Sequence, residues 1–283
     1  MNKVMFLARR FVAGTTAEEA VPVVEELNGQ GIRATMTVLG ENVTLRKEAL
    51  GAVEDGVRLL DLIQDRGLDA SVSIKLTRLG LDIDEEFCLE NLEQIVEKAR
   101  ATGNFVRIDM EGPKHTQRIL DVFRRIQAVH ENVGIVIQSM LFRSDRDIPE
   151  LLSRGARIRL CKGAYKVPAA LAHKTRRDIA RAFTGHLETL LASGGYHGVA
   201  THDESLIRWT LDHVKEKGLD PESFEFQMLY GMRRNRQIAL AEAGYNVRCY
   251  VPFGSHWFSY YYRRLRERKE NVFFLLRNLF TNS

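Results

Sequence analysis

The feature that most limits what this chain can fold into is a rhythm. Short apolar runs recur at even spacing, and each is followed by an amphipathic helical pattern before the next begins. The runs are Ile32–Leu39, Ser71–Leu76, Phe105–Met110, Gly134–Gln138, Arg157–Cys161, Gly198–Thr201, Phe224–Leu229 and Val247–Val251. Segments such as DEEFCLENLEQIVEKARATG and LIRWTLDHVKEKG carry the intervening helices, and Gly67, Gly103, Gly155, Gly218 and Gly244 are placed to close them. Eight strand–helix units specify an α/β chain folded as a (β/α)8 barrel of TIM type, closed by right-handed crossovers. The competing architecture is an open doubly wound sheet. The even repeat counts against it, and so does the absence of a GxGxxG after the first strand, where the chain reads LGENV.

The 283 residues suit one barrel domain, and no linker or low-complexity segment divides them. Residues 1–30 read as an N-terminal helical segment, 31–257 as the strand–helix repeats, and 258–280 as a final helix. The start, MNKVMFLARRFVAG, is basic and amphipathic like an organellar presequence. The acidic TAEEAVPVVEEL that follows argues instead for one continuous first helix. The 41 basic and 37 acidic residues are interspersed, so no basic block points to nucleic acid. Three scattered cysteines without CxxC spacing fit a reducing compartment and offer no zinc pattern, and no metal is expected. No apolar run approaches the roughly 20 residues of a membrane span.

Barrel strands are buried on both faces, and active sites gather at their C-terminal ends. Here those ends are polar: Glu41, Lys75, Asp109, Gln138, Arg159 with Lys162, Thr201 with His202, Gln227 and Tyr250. One such residue is usually a hydrogen-bonded structural group. Eight strands contributing complementary charges to one rim suggest a site for an anionic or zwitterionic ligand, although a structural salt-bridge layer would give the same pattern.

The final helix opens with SYYYRRLRER, residues 259–268. On a helix, Tyr260, Arg263, Arg264 and Glu267 share one face, while Tyr261, Leu265, Val272, Leu276 and Leu279 form a core stripe. Adjacent arginines suit a carboxylate gripped by bidentate bonds. A solvated basic face is the plainer alternative, and it leaves the aromatic run unexplained.

The strings SIKLT, RIDME, RLCKGAY, ATHD, FEFQMLYGM, YVPFG and YYYRRLRERKEN, in that order from about Phe11 to the C-terminus, resemble the monofunctional bacterial proline dehydrogenases and the related domain of proline utilisation A. The resemblance implies a distorted barrel with its last helix over the mouth and with FAD bound non-covalently. It implies oxidation of L-proline to Δ1-pyrroline-5-carboxylate by hydride transfer to flavin N5, with electrons passed on to a membrane quinone. This is the first step of proline catabolism, and its product suits a downstream pyrroline-5-carboxylate dehydrogenase. The expected location is the cytoplasm, peripheral at the inner face of the membrane.

The same resemblance assigns roles. Arg263, Arg264 and Lys75 match residues that hold the proline carboxylate, and Tyr250, Tyr260 and Leu229 match the walls around its ring. Asp109 matches an acid beneath the substrate, and Glu41 a gate that pairs with Arg263. Arg159 matches an arginine near flavin N5. Gln138, Lys162, Gly163, Ala164, Lys174, Thr201, His202 and Glu267 match contacts to the cofactor. Three features depart from the family pattern. Thr37 stands where an acid is usual, position 166 is lysine rather than aromatic, and roughly thirty helical residues that commonly precede the barrel are missing, which leaves the oligomeric state open. Two other classes compete on the residues alone. One is a non-redox lyase or aldolase using Lys75 in a Schiff base. The other is a regulatory binding protein on the same scaffold, which the intact Lys75, Asp109, Arg263 and Arg264 argue against.

Overall fold

A computed structural model of the chain describes residues 10–258 and Tyr260. Eight parallel strands close into a barrel in sequence order: β1 (Arg33–Val38), β2 (Ala70–Ile74), β3 (Val106–Ile108), β4 (Val133–Gln138), β5 (Arg157–Cys161), β6 (His197–Ala200), β7 (Phe224–Leu229) and β8 (Asn246–Phe253), with β8 pairing back onto β1. Eight helices lie among the described residues. They are α1 (Ala17–Asn28) before β1, then α2 (Arg46–Asp65), α3 (Glu85–Ala101), α4 (Thr116–Gln127), α5 (Ser144–Ser153), α6 (Arg176–Ala192), α7 (Glu204–Lys217) and α8 (Arg234–Glu242), one after each of β1 to β7. Gly67, Gly103, Gly155, Gly218 and Gly244 all take positive φ just past helix ends, the conformation that needs no Cβ.

Two local differences from the sequence reading have simple causes. The N-terminal helix does not run through residues 11–16. Thr16 caps a helix that begins afresh at Ala17, its hydroxyl accepting from the Glu19 amide. Before it, Phe11 and Val12 are buried in an extended segment tied to β8 by a bond from the Ala13 amide to the Pro252 carbonyl. Strand β2 also stops early, because Leu76–Leu79 wind into a 3-10 turn and leave Lys75 just beyond the strand.

Helix α1 packs against β1 and β8, burying Ala20, Val21, Val24 and Leu27. That is the place a helix after β8 would fill in a regular barrel. Tyr260, the start of the final helix, instead joins a small apolar cluster with Phe11, Val12, Leu39 and Met232, with Leu229 and Trp257 against it. Arg263, Arg264 and Glu267, expected on the same helix face, lie outside the described residues.

The strands alternate by side. Outward residues such as Val72, Val106, Ile108, Ile158, Leu160, Phe226 and Val247 form the main core with the helices. The inward set includes charged or polar residues from the strand starts to the strand ends, which contrasts with the branched aliphatic layers that commonly fill such barrels. At the floor, Arg248 Nε bonds both Glu225 oxygens at 2.9 Å, and its Nη1 reaches the Ala34 carbonyl. Gln227, expected at the mouth, donates its amide down to Glu225 and belongs to this floor. Gly134 leaves room for Arg107, whose guanidinium would lie 2.5 Å from a Cβ there.

Candidate active site

Above the floor, one carboxylate organises the lumen. Asp109 follows β3 and points inward. One of its oxygens accepts from the Ser73 hydroxyl at 2.7 Å and from Arg159 Nη1 at 3.0 Å. The other accepts from the Tyr250 hydroxyl at 2.7 Å and lies 3.8 Å from Lys75 Nζ. These partners come from β2, β5 and β8, so the contacts cross the barrel rather than run along it. Lys75 and Arg159 are buried. Burial of its hydroxyl, reinforced by the Asp109 charge, pushes Tyr250 well above the ordinary phenol range, so it remains a donor at neutral pH. The Arg159 guanidinium sits 5.4 Å from the Tyr250 ring centroid, a cation–π contact.

Lys75, Asp109, Arg159 and Tyr250, singled out in the sequence, thus form one cluster. Leu229 and Tyr260 meet in the apolar cluster at the rim. Glu41, in the loop after β1, approaches the hydroxyl of Tyr165, in the loop after β5, at 3.4 Å. Those strands lie opposite each other in an eight-stranded barrel, so this pair reaches over the mouth. The Tyr165 ring also lies against Gly112 beyond β3.

The residues assigned to a cofactor occupy the neighbouring sector, at the ends of β4, β5 and β6. Gln138 is buried and donates to the Glu111 carbonyl at 3.0 Å. Lys162 pairs with Asp203, the N-cap of α7. Burial raises the Asp203 carboxyl, but hydrogen bonds from Lys162 and Ser205 outweigh it and hold the group at about 2. Thr201 Oγ1 accepts from the Asp203 amide at 3.1 Å, and His202 Nε2 accepts from the Leu229 amide at 2.9 Å, which fixes an imidazole carrying its proton on Nδ1. Gly163 holds φ +110, and a Cβ there would lie 2.6 Å from Met140. Ala164 is exposed beside it, and Lys174 lies farther along the same loop, bonded to the Val167 carbonyl. At the strand end, burial pushes the Cys161 thiol up to about 12, which removes it as a thiolate nucleophile.

Sequence reasoning missed Ser73, Tyr165, Asp203 and Glu111. Glu111 accepts from the Thr77 amide at 3.1 Å and hydroxyl at 2.5 Å, and burial raises its carboxyl. Ser73 was legible in principle, since SVSIK alternates small polar and apolar residues and points Ser71, Ser73 and Lys75 to one side. Thr37, where the family pattern has an acid, donates to the Ser73 carbonyl at 2.9 Å.

The fold and its lumen define a (β/α)8 barrel in which a buried lysine, a buried arginine and a half-buried tyrosine converge on one carboxylate beneath the mouth. The chain belongs to the proline dehydrogenase family, a family of oxidoreductases, whose model matches residues 20–277. It is 41% identical over 272 residues to proline dehydrogenase 1 of Bacillus subtilis strain 168, covering 96% of this chain and 90% of that one. It is 36% identical over 283 residues to proline dehydrogenase of Deinococcus radiodurans, covering 98% and 91%. Among solved structures, the barrel matches proline utilization A from Bdellovibrio bacteriovorus inactivated by N-propargylglycine, with TM-score 0.87 at 23% identity. That match covers 93% of this chain and 32% of the other, so this chain spans about a third of the larger protein's length.

Proposed function

We propose that this chain is an FAD-dependent L-proline dehydrogenase acting as a single catalytic domain. The observation that carries the proposal is the Lys75–Asp109–Tyr250–Arg159 cluster, which brings residues just past β2 and β3 together with residues of β5 and β8 in a chain of this family. In the reaction a hydride leaves the ring carbon next to the proline nitrogen, the nitrogen gives up its proton, and the C=N bond of Δ1-pyrroline-5-carboxylate forms.

The residues present fit a flavin. Arg159 Nε is buried without a hydrogen-bond partner, a donor left over for a ligand. Gln138, Lys162, Thr201 and His202 line up along successive strand ends with donors and positive charge suited to ring carbonyls and phosphates. When bound, FAD supplies the hydride acceptor. The protein's part is then positioning and charge. Lys75 holds the substrate carboxylate, together with the Arg263–Arg264 pair of the final helix. The same cationic wall disfavours a protonated substrate amine, so the nitrogen lone pair is freed for the C=N bond. Asp109 fixes the Lys75 ammonium and the Tyr250 ring, which walls the proline ring with Leu229 and Tyr260. Arg159 would supply a cation able to stabilise the negative charge of a reduced flavin.

No helix among the described residues is long and apolar enough to cross a membrane. In this reading electrons pass to a membrane quinone through peripheral contact from the cytoplasmic side. The product, a cyclic imine carboxylate in equilibrium with its open aldehyde, suits an aldehyde-oxidising enzyme as the next consumer.

The test is an anaerobic visible spectrum of the purified protein before and after L-proline. Bleaching of a flavin spectrum, and its return on adding a soluble quinone analogue, is the expected outcome. A flavin that L-proline leaves oxidised refutes the substrate. A protein that cannot be loaded with FAD refutes the class.

A further inference from the structure

On the opposite face from the mouth, the turn between α4 and β4 carries His130, which is 4% exposed. Neither of its ring nitrogens has a hydrogen-bond partner. Leaving a buried polar atom unsatisfied costs about 1–3 kcal/mol, so a buried imidazole without a partner calls for an explanation. The ring is aimed at two carboxylates. Glu93 and Glu97 stand one turn apart on α3, and one ligand atom from each, with one from His130, all lie within 4.8 Å of one another. His130 Nε2 lies 3.6 Å from Glu93 Oε1, too far for a hydrogen bond.

We propose that Glu93, Glu97 and His130 form a binding site for a divalent cation of the zinc class. Bonds of about 2.0–2.2 Å around a tetrahedral ion place its ligand atoms roughly 3.4 Å apart. The His130–Glu93 separation already approaches that value, and Glu97 is exposed and can close the remainder by rotating its side chain. One imidazole with two carboxylates suits zinc, whereas calcium and magnesium take all-oxygen shells. Three protein ligands leave a fourth position for water. The site is a clip and lies apart from the chemistry. The turn bearing His130 is already tied to α3 and its following loop through Asn132, whose amide donates to the carbonyls of Val96 at 3.0 Å and Asn104 at 3.3 Å. An ion would lock the same two segments with stronger bonds. Linear spacing hides the site, because a helix contributes two ligands and a turn 33 residues further on contributes the third.

The experiment is calorimetric titration of Zn²⁺ into the chelator-stripped full chain, with thermal unfolding and proline oxidation measured alongside. The expected result is one site that weakens at least tenfold in both His130→Gln and Glu97→Gln. At saturating zinc the parent's melting midpoint rises by about 5 °C, while turnover is unchanged. Glu97 is exposed, so its variant folds whatever becomes of the His130 variant and decides the matter alone if that one does not. Absence of zinc binding, or binding that Glu97→Gln leaves intact, overturns the proposal. Because the readout is metal affinity, the result is independent of whether proline is the substrate.

Discussion

Asp109→Asn is the substitution that most directly tests the lumen cluster. It keeps the shape of the side chain and removes one negative charge that faces two buried cations, Lys75 at 3.8 Å and Arg159 at 3.0 Å. At an effective dielectric of about 20, the gross attractions are roughly 4 and 5 kcal/mol. Desolvation offsets most of that in the intact protein. Removing one partner does not restore the hydration of the others, and the usual cost of stranding a buried charge is about 3–5 kcal/mol. The new amide also presents a donor where the Tyr250 hydroxyl or the Lys75 ammonium now donates. We expect urea unfolding, followed by far-ultraviolet circular dichroism in excess FAD, to show a loss of this size, with a fall in melting midpoint of about 6 °C or more. Lys75→Met should itself be destabilising in the parent and much less so in the Asp109→Asn background, with a coupling of about 1–3 kcal/mol in the double-mutant cycle. Additive effects within about 0.5 kcal/mol, or an Asp109→Asn variant as stable as the parent, would refute the claim that this carboxylate neutralises the lumen cations.

Three further outcomes are expected. Burial, helped by the charges of Arg107 and Arg157, lowers His197 from 6.5 to about 4, while its Nδ1 accepts from the Ile158 amide. Below pH 6.5 the unfolded chain takes up the proton first, so this histidine's contribution is fully present above that pH and is lost as pH falls towards 4. Denaturant titrations should show the parent losing about 2 kcal/mol more than His197→Gln between about pH 7 and pH 5, and equal losses would remove the assignment. Gly163→Ala should lower FAD content and stability together, because it strains a positive φ and drives a methyl into Met140, and normal flavin occupancy would contradict the packing. Arg263→Ala and Arg264→Ala should each raise the KM for L-proline at least tenfold with FAD content unchanged, and an unaltered KM would sink the carboxylate role.

How much of this was legible in the sequence depended on how local the signal was. All eight strands were found within a residue or two, because strand and helix periods alternate cleanly and glycines mark the helix ends. Lys75 was placed on the strand, since nothing in SIKLTRLG announces the 3-10 turn that stops β2 at Ile74. The amphipathic pattern runs on through Thr16 and predicts a longer N-terminal helix, whereas the Thr16 cap and the burial of Phe11 and Val12 against the rim override it. Tyr250 was identified, but its hydroxyl contact with Asp109 spans 141 residues of sequence, and the contact of Arg159 with Ser73 spans 86. Such contacts follow from barrel closure and strand register, which no local pattern encodes.

The polar lumen has one physical consequence that joins fold to function. Along RIRLC, FVRID, VRCYV and SVSIK the polar residues occupy alternate positions, so one strand period places apolar side chains against the helices and charges inside. The inward charges do not balance. Among the described residues Lys75, Arg157, Arg159 and Arg248 stand against Asp109 and Glu225, while burial pushes Glu111 towards its neutral form and lowers Arg107 well below the usual guanidinium range. A low-dielectric tube with excess positive charge directs its field out of the open end. The floor cations are held by Glu225 and by backbone carbonyls. Their charge still acts at the mouth, where it favours an anion over a cation. A carboxylate beside Lys75 would then be drawn by the whole column, and a free amine next to it would be favoured over an ammonium. The same alternation that lets the barrel close therefore prepares the protonation state that amine oxidation requires.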